Sequence, residues 1–495
     1  MNYQSFMGRS FSAIKTTCCR SNKALAAIFS ASAILLSASA ANAGQAITEA
    51  EALTFAYVAD FSSGIDCAEI ATTGDDCRIK ATTPDLGTTE MQATTLVKGR
   101  MKAGLAQRSL TDWEIVWGPI MQWEKGTTKK AATGEKDWFT AAGTMVVFQK
   151  GSTFVVGIAG TNPISTYGWD TEDFDVTQQV PWPDPITGLP VGEIAAGTAE
   201  GLNLLLTMGT GPYADPKLSL LDYLQTQTAA RDTMDVVVGH SLGGTLSPVL
   251  ATALIASKPI GLSLKWHDLK KATPSSIDLT LPAWDPNNVA RVSTTFFAGA
   301  TPGDSKFANY TQGLMPSDHI QSVYGQYDIV PRGWDKLGTK PSSTEAEKVY
   351  NAYARTYDGV AYFCHASGFS GACPYTKTTP ETSSSNLSNV ICPCLDVNDI
   401  LRDLVMPNAK KFTDATAVGE TSGQRKEIQI PIGNDNDINL CPSAKGLVEA
   451  GIKDEFMIQA IYQHDCSYPL VYPETANLSE NFSEIRKQYM FDTNQ

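Results

Sequence analysis

Asp235-Val236-Val237-Val238-Gly239-His240-Ser241-Leu242-Gly243-Gly244 is the stretch that decides the fold of this chain. Three β-branched residues run into a glycine, and residues 245–257 beyond it are rich in Ala and Leu. An apolar run bounded in this way reads as a buried parallel strand, and the stretch after it reads as a helix. Gly-x-Ser-x-Gly stands between them. Serine is a weak nucleophile at its ordinary pKa, so chemistry at a serine needs it held where a base can take its proton. A tight strand-to-helix corner with flanking glycines brings strand and helix close and projects the serine oxygen above the sheet edge. A helix-capping serine after a glycine turn is the competing reading. The strand before and the helix after favour a nucleophile elbow, with Ser241 as the nucleophile.

Outward from the elbow the same alternation recurs. Residues 113–123, 143–150 and 154–159 read as strands, the last ending in Gly160-Thr161-Asn162. Residues 292–298 form another, ending in Gly299-Ala300-Thr301-Pro302-Gly303, and 320–324 run into Gly325-Gln326-Tyr327-Asp328. Residues 47–60, 88–106 and 191–208 read as helices, and 163–190 as a loop containing Pro and Trp. Strands alternating with helices imply βαβ units with functional residues at the strand C-terminal ends. The expected fold class is α/β: a mostly parallel sheet flanked by helices, with a cysteine-bearing C-terminal insertion or cap. The insertion is placed at 335–455, where periodicity is weak and 377–388 is rich in Ser and Thr. No internal repeat is visible.

The N-terminus reads as a leader. Arg9, Lys15, Arg20 and Lys23 stand without an acid, an apolar run covers 24–36, and Ala41-Asn42-Ala43 precedes Gly44. That is the pattern of a signal peptide cut after Ala43, and the apolar core is too short and too rich in Ser and Ala for a spanning anchor. A secreted or periplasmic location follows as an expectation, with 44–495 as one domain. Cleavage removes four basic residues and no acidic one, taking the formal charge from −14 to −18. So acidic a surface repels nucleic-acid phosphates and anionic headgroups, so a lipid substrate has to be held by apolar contact. No nucleic-acid partner and no stable membrane anchor are expected, and oligomeric state is left open.

Of the 10 cysteines, those after the leader are Cys67, Cys77, Cys364, Cys373, Cys392, Cys394, Cys441 and Cys466. An even number in an oxidising compartment suggests up to four disulfides, with Cys67 and Cys77 as a local staple and the other six bridging the C-terminal region in undecided pairs. Cys392-Pro393-Cys394 lacks the spacing of a zinc knuckle, so no metal is expected.

An activated serine needs a base and an acid to orient it, and the chain has 5 histidines. His240 lies inside the elbow and reads as packing. His267 falls in a charged stretch, His319 opens a strand at the wrong end of the sheet, and His365 lies in the insertion. His464 remains, after every strand that can be placed. The orienting carboxylate belongs on a loop after a later strand, and Asp328 meets that description, with an Asx-turn residue as the alternative. Ser241, Asp328, His464 is the chain order of α/β-hydrolases.

These residues resemble a family, the class 3, fungal-type triacylglycerol lipases of the α/β-hydrolase superfamily. Residues 154–162 are similar to the strand that ends in the family's oxyanion turn, and 239–244 match its elbow. Phe296-Phe297-Ala298-Gly299-Ala300-Thr301-Pro302-Gly303 and the residues to Ala308 resemble a further family signature, and Tyr327-Asp328-Ile329-Val330-Pro331-Arg332 matches its acid segment. The resemblance implies a serine carboxylester hydrolase that needs no cofactor, with Thr161 and the backbone amide of Leu242 as oxyanion donors. Those two positions are what the fold can bring to a developing oxyanion. Two departures stand out: Ala159 occupies a position where many members carry Arg, and the interval from Asp328 to His464 is long. Residues 163–208 lie where family members keep a lid, and they hold Tyr167, Trp169, Phe174, Val180 and Trp182, suited either to a lipid interface or to core packing. A triacylglycerol lipase is the leading expectation. A short-chain esterase or phospholipase, or a hydrolase-like binding protein without catalysis, are the alternatives.

Overall fold

A computed structural model of the 495-residue chain describes residues 46–62, 86–125, 139–162, 165, 178–209, 217–229, 232–268, 275–328, 330–332, 417–420, 423–449, 455–472 and 475. The expected leader, Cys67, Cys77, Cys364, Cys373, Cys392, Cys394 and His365 lie outside these residues, as do Tyr167, Trp169 and Phe174.

Helix α1 (Glu49–Ala59) opens on a reciprocal cap. Thr48 Oγ1 accepts from Glu51 N at 3.1 Å while Thr48 N donates to Glu51 Oε2 at 2.8 Å, satisfying two amides that the first turn leaves without helical partners. After α2 (Leu86–Gln107) come the long strands β1 (Glu114–Lys125) and β2 (Phe139–Lys150), then β3 (Thr153–Ile158). Next follow a hairpin of β4 (Gln179–Pro183) and β5 (Pro190–Ala195), and the helices α3 (Ala196–Thr207) and α4 (Leu220–Thr228). The elbow strand is β6 (Met234–His240) and its helix α5 (Leu242–Ser257). A second hairpin, β7 (Leu262–Asp268) and β8 (Ser275–Leu281), precedes β9 (Arg291–Phe297), α6 (Ser305–Leu314) and β10 (Ile320–Gly325). The C-terminal part holds β11 (Arg425–Ile428), then α7 (Asp435–Asn439), α8 (Pro442–Glu449) and α9 (Glu455–Ile461). A π-helical turn, Tyr462–Cys466, leads from α9 into α10 (Ser467–Val471).

The central sheet has the order β1-β2-β3-β6-β9-β10-β11. From β3 to β11 every neighbour is parallel, and β1 and β2 extend one edge antiparallel. This is the mostly parallel, helix-flanked α/β sheet expected from the alternation of strands and helices. Every residue of β3 and of β6 is buried, as a central parallel strand covered on both faces requires. The pleat sorts them: Val156 and Val237 join the core beneath α3, α4 and α5, while Val155, Val236 and Val238 join the core beneath α1 and α2. Burial of each such valine contributes roughly 1.5–3 kcal/mol, so the elbow strand is anchored from both sides before any catalytic requirement enters.

The structure departs from the sequence reading over 163–208, where residues 179–183, expected in a loop, form β4. The helix expected over 191–208 begins only at Ala196, because residues 190–195 pair antiparallel with β4, Val180 opposite Ile194 and Trp182 opposite Gly192. Long-range contacts override helical spacing here. Ile194 bridges to Gly303, Gly192 lies against the backbone of Phe307 with no room for a side chain, and Trp182 packs on the Phe307 ring at 5.1 Å. Val180 and Trp182 are therefore core residues of the hairpin. Residues 425–428 lie within the span expected as an insertion, and they supply the outer parallel strand of the main sheet.

Candidate active site

The pieces of the site stand at the C-terminal ends of neighbouring parallel strands. Strand β6 ends at His240, and Ser241 follows with φ 59° and ψ −126°. Positive φ is costly for a residue with a Cβ, and here two hydrogen bonds and two close backbone contacts hold it. Ser241 N donates to Phe297 O of β9 at 3.1 Å, and Thr245 N returns to Ser241 O at 3.0 Å. Gly239 lies on the backbone of Gly243, and Gly243 in turn lies on the carbonyl of Ile158, so a methyl group at either position has no space. Leu242 is the first residue of α5, where amides have no partner within the helix and point toward any negative charge placed there.

Strand β3, hydrogen-bonded to β6 with Ile158 opposite Gly239, delivers the second piece. Beyond it Gly160 packs onto the elbow so closely that a Cβ there would stand 3.1 Å from Ser241 Cβ and 3.0 Å from the His240 carbonyl oxygen. Thr161, next in the chain, is buried. The sequence-predicted oxyanion turn is thus brought against the serine.

Asp328 sits three residues beyond β10, in a turn closed by Asp328 N on Gly325 O at 3.2 Å. Its carboxylate is fully enclosed, and every neighbour named on it is a donor. His464 Nδ1 lies 3.0 Å from Oδ2 and 3.2 Å from Oδ1, Tyr468 Oη donates to Oδ2 at 2.7 Å, and Val330 N donates to Oδ1 at 3.0 Å. Burial by itself raises the Asp328 pKa, but the His464 imidazole and these hydrogen bonds outweigh it and hold the carboxyl below the usual range. Burial and the adjacent carboxylate push the Tyr468 phenol well above 10, so it remains a donor. An ionised Asp328 fixes the proton of His464 on Nδ1, leaving Nε2 with the basic lone pair.

His464 belongs to the π-helical turn, and its backbone oxygen lies 2.9 Å from His240 Nε2. The two imidazole rings are 4.6 Å apart, which places the His464 ring beside the residue preceding Ser241. The structure therefore gathers Ser241, Leu242, Thr161, Asp328 and His464 at one sheet edge. The other described histidines are elsewhere: His267 is exposed on β7, and His319 bonds Val292 O at the far end of the sheet. Among the described residues no group of three or more His, Cys, Asp or Glu could hold a metal ion, and no helix is long and apolar enough to cross a membrane.

Three buried groups at the site were not found in the sequence: Tyr468, Tyr57 and Asp60. Tyr468 lies one helical turn beyond His464, a spacing that could have suggested it. Tyr57 and Asp60 come from α1 and its end, more than 180 residues before the serine, and nothing in their local pattern marks them.

Residues 155–334 match the family Lipase (class 3). That span carries Gly160-Thr161, the Ser241 corner and Asp328, and over it the resemblance to the class 3 lipases is borne out. Among solved structures the chain is similar to the M37 lipase, with 20% identity, a TM-score of 0.49, and coverage of 89% of this chain and 96% of that one. It is also similar to lipase II from Rhizopus niveus, with 16% identity, a TM-score of 0.30, and coverage of 58% and 74%. A triacylglycerol lipase from Penicillium expansum follows at 13% identity and a TM-score of 0.27, covering 47% and 69%. No curated protein sequence matches the chain. The family match supports a lipase or ester hydrolase.

Proposed function

We propose that the protein is a serine carboxylester hydrolase, a triacylglycerol lipase by preference, acting through Ser241, His464 and Asp328. The observation that carries this reading is the bond from His464 Nδ1 to the enclosed Asp328 carboxylate, made by a histidine whose ring stacks beside the residue that precedes the strained serine. Nothing in a purely structural role accounts for a buried carboxylate, an imidazole and a positive-φ serine meeting at the C-terminal edge of a parallel sheet.

In the proposed reaction His464 Nε2 takes the Ser241 proton as Oγ attacks the ester carbonyl. The tetrahedral oxyanion is held by the Leu242 amide and by Thr161, a contribution of about 3 kcal/mol per donor in comparable sites. His464 returns its proton to the leaving alcohol as the C–O bond breaks, giving the acyl-enzyme. Water then attacks the acyl-enzyme with His464 again as base, releasing the acid and restoring the serine. Asp328 keeps His464 in the productive tautomer and stabilises the imidazolium between these steps. The reaction needs no cofactor. A leader over 1–43, a secreted or periplasmic location, an ester or lipid as partner, and an insertion at 335–455 within one domain over 44–495 belong to the same reading.

The test uses a series of esters of increasing acyl length, hydrolysed below and above their solubility limit by the wild type and by Ser241→Ala. Ser241→Ala is expected to lose at least about 10³-fold in kcat, with rates on long-chain esters rising above the solubility limit. A rise on short soluble esters alone points to the esterase instead. Undiminished hydrolysis by Ser241→Ala, or fluorophosphonate labelling anywhere other than Ser241, overturns the reading.

A further inference from the structure

Asp60 and His240 are buried beneath the site and take no part in the bond-making steps above. Asp60 caps the end of α1 and is 1% exposed; His240 is 0% exposed. One carboxylate oxygen of Asp60, Oδ1, accepts the N–H of Gly160, the residue just before Thr161. The other, Oδ2, lies 3.7 Å from His240 Nδ1. On the opposite edge of the imidazole, Nε2 lies 2.9 Å from the backbone oxygen of His464. A carbonyl oxygen can only accept, so Nε2 carries a proton and donates it. Asp60 thus ties the oxyanion turn to the end of α1, and His240 ties the residue preceding the nucleophile to the main chain of the base.

We propose that Asp60 and His240 are positioning residues for the reaction: Asp60 sets the orientation of the oxyanion turn, and His240 holds the helix of the base in register with the elbow. The inference rests on the serine hydrolase reading above. Three features support it. The Gly160 amide points into the protein at Asp60, which fixes the plane of the Ala159–Gly160 peptide, one residue before Thr161. A turn that carries an oxyanion donor must be rigid before the charge forms, because reorganising it during the reaction would spend the stabilisation it offers. The His240 ring is packed on its faces and edges by Tyr57 at 4.8 Å, His464 at 4.6 Å and Tyr468 at 5.6 Å, so it has one orientation available. Burial lowers the His240 pKa and Asp60 opposes that, with the charges of His464 and Asp465 also acting on the ring. A carboxylate and an imidazole so deeply buried are costly to keep unless the contacts they make are needed.

The experiment compares Asp60→Leu, Asp60→Asn and His240→Gln with wild type, reading kcat and KM on a soluble short-chain ester, the rate of fluorophosphonate labelling of Ser241, and the melting temperature. Asp60→Leu is expected to lower kcat about 10- to 100-fold with KM within about threefold, and to slow labelling in parallel, because the interaction lost is one made in the transition state. Asp60→Asn keeps an oxygen acceptor for Gly160 N and is expected to recover kcat to within a few-fold of wild type. His240→Gln keeps an amide donor for the His464 oxygen and is expected to lie between the two. If Asp60→Leu does not fold, Asp60→Ser, smaller and without a carboxylate, takes its place with the same expectation. Folded Asp60→Leu or Asp60→Ser with kcat within twofold of wild type overturns the proposal, as does a kcat loss as large in Asp60→Asn as in Asp60→Leu. Ser241→Ala measured alongside separates the two failures. An inactive Ser241→Ala beside a fully active Asp60→Leu sinks only the positioning role, whereas an active Ser241→Ala sinks the hydrolase reading itself.

Discussion

The proposed nucleophile, Ser241, and the proposed base, His464, are held by different kinds of structure. Ser241 is fixed by backbone: a strand buried on both faces, a helix that starts at the next residue, and glycines whose missing side chains let β3, β6 and α5 touch. His464 is fixed by side chains reaching across long sequence distances. Its turn is pinned by the Cys441–Cys466 disulfide and by Gln463 Nε2 on Pro431 O at 2.9 Å. Tyr57 Oη on Asp465 O at 3.0 Å and the His240 contact pin it from the opposite side. Backbone constraints are all-or-none, because a corner that does not close leaves no site. Side-chain tethers are graded, so losing one loosens the base without dissolving the fold.

The contrast is broken most severely at Gly243. A side chain there meets the Ile158 carbonyl at the end of β3, where backbone lies on backbone and nothing can yield. Gly243→Val is expected to cost more than about 4 kcal/mol, in the range where overpacking of a rigid backbone contact abolishes folding. Soluble expression and thermal unfolding check this. A folded, active Gly243→Val protein would show that the elbow tolerates what a backbone-held corner should not.

The next largest effect tests the base segment. Cysteines 441 and 466 close a loop of 25 residues, and the second lies two residues from His464. A bridge of that span stabilises by about 3 kcal/mol. Replacing both by serine is expected to lower the melting temperature by several degrees and kcat by about tenfold, with substrate affinity little changed, because Asp328 and His240 still engage the histidine. If kcat stays at the wild-type value while stability falls, the disulfide serves the fold and not the base.

The same contrast explains what could be read from the sequence. The corner at Ser241 and Leu242, with the turn at Thr161 against it, was legible because such a corner imposes local requirements: glycines at fixed offsets, a β-branched run before, an alanine-rich run after. Asp328 was legible because a strand leads into it and a turn leaves it. His464 emerged by exclusion among few histidines, not from any pattern around it, since what places it is a π-helical turn, a disulfide and a tyrosine contributed from elsewhere. Asp60 could not be read at all. The contacts it makes depend on which helix end packs under which strand end, and no period or spacing records that. Residues 190–195 failed for the same reason: they read as the start of a helix, and a partner strand and α6 made them a strand.

Tyr468 gives a smaller and more specific perturbation of the base. Its hydroxyl donates to Asp328 Oδ2 at 2.7 Å and accepts from Gly325 N at 2.8 Å, joining the acid to the end of β10. Tyr468→Phe removes one of the interactions that hold the Asp328 carboxyl low, so that carboxyl must titrate at higher pH in the variant. The low-pH loss of kcat/KM that follows protonation of Asp328 is expected to begin at higher pH than in the wild type, and kcat at neutral pH to fall about three- to tenfold. A profile superimposable on that of the wild type would place the control of Asp328 in His464 and the Val330 amide alone.

The smallest effect lies at the far end of the elbow strand and probes fold without catalysis. Asp235, the second residue of β6, is wholly buried and accepts from Thr233 Oγ1 at 3.2 Å. Burial raises its pKa from 3.8 to about 7, with Thr233 and the charge of Lys258 opposing and Asp285 adding to the rise. Between those two values the folded chain retains a proton that the unfolded chain has released. Stability therefore falls as pH rises through that window, and the contribution is fully present only below about pH 4. Asparagine keeps an oxygen for Thr233 and has no proton to lose, while Asp285 stays 3.6 Å from Lys258 Nζ to balance its charge. Asp235→Asn should accordingly melt within about two degrees of wild type at pH 5 and several degrees above it at pH 8, with turnover per folded molecule unaffected. An equal shift at both pH values would mean that Asp235 is ionised in the native strand. The lower end of β6 would then carry a buried charge of its own, and the division between a backbone-held nucleophile and a side-chain-held base would not extend along the whole strand.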